Sequence, residues 1–131
     1  MKIELKKKLS KEWFIKLQNI ICKSIEQLEM DYGYNIKFKK NKWKHGEFRT
    51  INGKVFEKGG VAFSNVKGKF SKEFAKKIPG TDKNKNFWSS GVSVVLHPMN
   101  PKIPSFHFNT RFICTEKNWF GGGMDATPCL K

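Results

Sequence analysis

The chain has 131 residues, 28% of them charged, with 26 Lys and Arg against 11 Asp and Glu and a formal charge of +15. That length supports one domain with a modest core, and no apolar run approaches the ~20 residues of a membrane-spanning helix. The basic opening MKIELKKKLSKEW leads into no apolar leader core, and Cys22, Cys114 and Cys129 lack CxxC spacing, so a reduced, cytoplasmic setting is expected. The charge is lopsided. Residues 1–86 hold 22 of the basic and nine of the acidic residues, a balance of +13, which leaves +2 for residues 87–131. Arg49 and Arg111 are the only arginines. Base-edge and phosphate recognition favours arginine, so the lysine excess reads as solvated surface that would still attract an anionic substrate. The alternative is a basic module holding nucleic acid or an acidic surface through counterion release.

Along the chain, Ser10 is the expected N-cap of a helix reaching about Tyr32, with Gly33 ending it. Trp13, Phe14, Leu17, Ile20, Ile21, Ile25 and Leu28 recur at three- and four-residue spacing as one apolar stripe. Ile36 and Phe38 alternate with lysines as a strand with one wet face. Asn41 to Gly46 reads as a loop and Phe48 to Ile51 as a strand. Asn52-Gly53 reads as a hairpin turn. Gly59-Gly60 marks a bulge or close approach, followed by alternation from Val61 to Val66. The lysine-rich Lys67–Asn86 is an exposed excursion with a short helix over Lys72–Lys77, stopped by Pro79-Gly80. The fold class is therefore α+β: an N-terminal helix followed by a largely antiparallel sheet, residues 1–131 forming one domain.

The stretch Gly91 to Pro128, GVSVVLHPMNPKIPSFHFNTRFICTEKNWFGGGMDATP, carries the most specific signal. Period-two geometry puts Ser93, Val95 and His97 on one side of a strand and Val94 and Leu96 on the other. In the next run His107, Asn109 and Arg111 share one face, and Phe106, Phe108 and Phe112 the opposite one. Pro98, Pro101 and Pro104 make the connection a stiff turn. Antiparallel pairing would set the Ser93/His97 face beside the His107/Asn109/Arg111 face. The triple glycine, Gly121 to Gly123, is a flexible loop or a place where backbone passes close to a partner, and Asp125 follows it.

GVSVVLHPMNP, PSFHFNTRF and WFGGGMDATP, preceded by VFEKGGVAFSNVKG, resemble in order the signatures of the oxygen-dependent coproporphyrinogen III oxidases, N-terminal portion only. The resemblance implies a large antiparallel sheet flanked by helices, present here as an incomplete version. It also implies oxidative decarboxylation of two propionates to vinyl groups in haem biosynthesis, giving protoporphyrinogen IX, carbon dioxide and hydrogen peroxide. The substrates are coproporphyrinogen III and O2, without an organic cofactor. Family members are homodimers, but the segment associated with dimerisation has no counterpart here, nor does the remainder of the C-terminal part. A split enzyme acting with a separate C-terminal polypeptide, or a decayed and inactive remnant, is therefore expected. Departures include Gly59 and Ala62 where the pattern has FEKAGVN, Met99 in the HP-x-NP segment, Asn118 for the first Trp of WWFGGG, and Cys129 after TP.

Site residues follow from chemistry and resemblance together. Arg111 is a planar, permanently charged fork for a carboxylate; for an isolated arginine a strand-end salt bridge would be the simpler reading. By resemblance Asn109, Thr110 and Arg111 form a substrate-contacting segment, and Ser93, which lacks a nucleophile elbow, hydrogen-bonds substrate. His107 can exchange a proton near neutral pH, and its family counterpart is assigned as proton donor. Asp125 pairs with pyrrole N–H groups, orients a base, or simply forms a turn. His97 and His107 match positions described as metal ligands in some bacterial members, but two imidazoles alone make a poor set, and no metal is expected.

Overall fold

A computed structural model describes residues 1–80 and 85–130; the middle of the Lys67–Asn86 excursion and Lys131 lie outside them. Helix α1 spans Ile3–Asp31. It begins seven residues before the expected cap: Leu5 and Lys6 N–H donate to Lys2 O, and Glu4 sits in the first turn where the dipole favours an acid. Ser10 lies inside the helix and turns its hydroxyl back onto Lys7 O at 3.0 Å, the local bond that mid-helix serines make. The end is as expected, with Gly33 at φ 88° and its N–H on Met30 O.

The buried face of α1 differs from the apolar stripe. Phe14, Gln18, Cys22, Ile25 and Glu29 are buried, whereas Trp13, Ile20 and Leu28 are exposed. Besides Ser10, two polar residues occupy the inner face, and each bonds backbone groups across it. Gln18 Nε2 donates to Glu47 O at 2.9 Å and Val61 O at 3.1 Å, tying the helix to two strands. The Glu29 carboxylate accepts from Lys54, Val55 and Phe56 N–H, at 2.8 to 3.1 Å. A side chain at Gly53 would overlap that carboxylate and displace it from the turn.

Six antiparallel strands follow in a meander: β1 (Lys39–Trp43), β2 (Gly46–Ile51), β3 (Phe56–Lys69), β4 (Asn86–Pro98), β5 (Ser105–Cys114) and β6 (Asn118–Thr127), neighbours in sequence being neighbours in the sheet. The α+β expectation holds at this level. The expected Ile36–Phe38 strand is absent; Phe38 N–H donates to Glu26 of α1 instead, and Phe38 is buried. The expected loop at Asn41–Gly46 is mostly strand, with Lys44-His45 alone turning β1 into β2. Asn52-Gly53 does not form a two-residue hairpin: Ile51 pairs with Gly59, and the residues between wrap Glu29. A bulge falls between Phe56 and Lys58, opposite Pro98 and His97. The short helix α2 (Lys72–Ala75) is capped by Ser71, whose hydroxyl accepts from Phe74 N–H. Thr115 Oγ1 and Glu116 N–H donate to Pro79 and Gly80 carbonyls, which pins this excursion to the β5–β6 turn. The triple glycine is no loop; it lies within β6, paired along β5.

The core forms where α1 crosses the sheet: Phe14, Cys22 and Ile25 meet Val61, Val92 and Val94, with Phe112 at the margin. The helix covers one face only. The other face carries the polar residues singled out above.

Candidate active site

Antiparallel register decides which side chains share a face. Ser93 stands opposite Asn109, Val95 opposite His107, and Gly91 opposite Arg111. On the next strand, Asp125 stands opposite His107, Gly123 opposite Asn109, and Gly121 opposite Arg111. Ser93, His97, His107, Asn109, Arg111 and Asp125 therefore project from the face that α1 leaves open. Thr110 does not: it pairs with the buried Val92 and so points to the helix side, leaving only its backbone near this face.

Contacts sort the face into three groups. His107 Nδ1 lies 3.3 Å from Asp125 Oδ2, with side chains 45% and 63% exposed, and Thr127 Oγ1 donates to the other carboxylate oxygen at 3.5 Å. A carboxylate accepting from Nδ1–H fixes the imidazole tautomer and leaves Nε2 free to exchange a proton with a bound molecule. Arg111 donates to Asn109 Oδ1 at 3.3 Å, which steadies one arm of the guanidinium and leaves the rest for a carboxylate. His97 Nδ1 lies 3.1 Å from Ser105 Oγ, itself 3.7 Å from Cys129 Sγ. Gly121 and Gly123 carry no side chain over this face, so a flat ligand can lie against backbone. Gly91 makes room for Arg111, since a Cβ there would sit 2.8 Å from the arginine Cβ.

Sequence reasoning left two neighbours out. Lys58 pairs with His97 across β3 and β4, and the two line a depression of about 330 Å³ with Thr50, Gly60 and Val95. It adds a cation at the margin of the face, and strand parity through FEKGG could have found it. Ser105 was the other, visible only once the turn brought it back to His97. His97 and His107 each hold Nδ1 on a neighbour and keep Nε2 free, and among the described residues no group of three His, Cys, Asp or Glu is placed to hold an ion.

Fold and face together define an α+β protein that presents a histidine–carboxylate pair and an arginine fork on one open side of an antiparallel sheet. The coproporphyrinogen III oxidase family model matches residues 9–131, and the chain belongs to that family. It is 42% identical over 138 residues to oxygen-dependent coproporphyrinogen-III oxidases of Rickettsia felis and Rickettsia akari, covering 98% of this chain and 49% of each relative. The Rickettsia typhi enzyme of that name is 42% identical over 132 residues, covering 93% and 47%. The chain thus spans about half the length of the curated relatives it matches, consistent with an N-terminal portion.

Proposed function

We propose that this chain supplies the substrate-facing sheet of an oxygen-dependent coproporphyrinogen III oxidase, as one domain and an incomplete version of the family fold. The substrate is a reduced tetrapyrrole bearing propionates, and the reaction balances for each as propionate plus O2 plus a proton giving vinyl, carbon dioxide and hydrogen peroxide. No organic cofactor or metal is needed for that stoichiometry, and O2 is the oxidant. Arg111 holds a propionate, with Ser93 and Asn109 hydrogen-bonding nearby. His107, oriented by Asp125, carries the proton, and the bare Gly121 and Gly123 backbone lies under the macrocycle. The lysine-rich surface draws the anionic substrate in. A reduced, cytoplasmic setting suits the three cysteines, all free.

The observation that carries this reading is the register: three strands place Ser93, Asn109, Arg111, His107 and Asp125 on one uncovered face. The alternative of a nucleic-acid or acidic-surface module has net charge in its favour, but 24 of the 26 basic residues are lysine, whereas phosphate-fork recognition favours arginine. Anaerobic titration of coproporphyrinogen III against its fully esterified analogue tests the proposal. Carboxylate-dependent binding, weakened at least about tenfold by Arg111→Leu, is expected from loss of a charge-assisted fork. Equal binding of the ester, or no effect of the substitution, would overturn it.

A further inference from the structure

The two edges of the sheet are built differently. β1 carries lysine at positions 39, 40 and 42 of its five residues, a device that discourages another strand from pairing with it. β6 is the opposite edge, and from Asn118 to Met124 it has no charge, no proline and three consecutive glycines. Its backbone is therefore unguarded. On the helix side of the same strand Phe120 is 67% and Met124 77% exposed, and Phe106 stands partly bare on β5. Beside them a groove of about 410 Å³ opens between α1 and β6, lined by Leu9, Trp13, Phe112 and Phe120 among others. Aromatic and methionine side chains in such a contiguous patch mark an interaction surface.

We infer that the outer edge of β6 and this apolar surface dock the second half of a coproporphyrinogen oxidase polypeptide. It would pair a strand with β6 and seat apolar side chains over Trp13, Phe120 and Met124. The inference rests on the family reading, because the curated relatives carry about as much chain again beyond the matched half. Whether that half is joined to Lys131 or supplied as a separate chain, the chemistry of the contact is the same. Main-chain hydrogen bonds along β6 supply affinity and the apolar pocket supplies register. A second copy of this chain suits the surface less well, since each carries +15 and like charges oppose association.

The test mixes the chain with the unmatched half of the Rickettsia felis relative, produced separately, and reads sedimentation and amide exchange. A one-to-one complex is expected, with exchange slowed at least about tenfold at Trp119–Met124 and unchanged along β1. Met124→Lys and, separately, Phe120→Lys should weaken it at least about tenfold by placing charge in the apolar contact, while Lys42→Ala should not. Met124 is mostly exposed in the chain, so its substitution leaves the fold intact. No complex, a complex indifferent to both lysine substitutions, protection on β1 instead of β6, or self-association that buries β6 would each overturn the proposal. Substrate titration is read separately: docking without tetrapyrrole binding would overturn the function and leave the docking, and the converse would do the reverse.

Discussion

At the β1–β4 end of the sheet, polar groups on α1 are buried and fully engaged. At the β5–β6 end, apolar groups are largely exposed, although Phe120 still meets the Phe112 ring. Gln18 reaches from the helix to the Glu47 and Val61 carbonyls and Glu29 to the N–H groups of the turn before β3, whereas Phe120 and Met124 are largely exposed. The first end is finished by this chain itself. The second has the polarity of an interior without a cover, and the open polar face lies over the same strands. The packed core thus lies between α1 and β2, β3 and β4, whereas the polar face proposed to bind substrate lies on β4, β5 and β6.

Glu29→Ala tests the finished end and should have the largest effect. Its carboxylate serves three N–H groups, and leaving them buried without acceptors should cost about 3 kcal/mol or more. Urea unfolding checks this; a loss under about 1 kcal/mol would mean that the turn re-forms without the carboxylate. Next comes the polar face. His107→Ala should leave stability within about 0.5 kcal/mol, as expected of a largely exposed site. It should lower turnover of any assembled enzyme about a hundredfold or more, the range for losing a general acid or base.

A smaller effect is expected from the thiols. Burial raises the Cys22 pKa above its ordinary 9.0, partly offset by Arg49, and burial likewise raises Cys114. The folded chain then keeps protons that the unfolded chain releases. This contribution to stability is intact below pH 9 and declines as pH rises from there through the folded values. Alkylation at pH 8 should accordingly label the exposed Cys129 first, and the two buried thiols only on unfolding. Rapid native labelling of Cys22 would contradict its burial. Smallest of all, Met124→Lys should change unfolding free energy by less than about 0.5 kcal/mol, because the side chain has little to lose. A large loss would show that the β6 end is packed after all.

Much of the polar face was legible in sequence because strand parity is local: once FHFNTRF is a strand, His107, Asn109 and Arg111 must share a side. The same rule shows why Thr110 cannot join them, although a motif read as a continuous segment includes it. What escaped depended on tertiary contacts. Glu29 resembles any surface glutamate until a turn 25 residues later points its N–H groups at it. Ser10 has the composition of a cap, but the preceding lysines are good helix formers and carry the helix past it. The triple glycine has the composition of a loop, and only pairing with β5 makes it a strand. Trp13, Ile20 and Leu28 fit a helical period, yet the sheet touches a face rotated away from them.

The central claim is that this sheet face performs oxidase chemistry once its β6 end is covered. Its most direct test is aerobic conversion of coproporphyrinogen III by the chain combined with the unmatched half of the Rickettsia felis relative. Wild-type and His107→Ala chains are compared, and vinyl product and hydrogen peroxide are both measured. The account predicts product and peroxide in matched amounts from the combination, abolished by His107→Ala. Product that forms undiminished with His107→Ala, or with the relative's half alone, would contradict it.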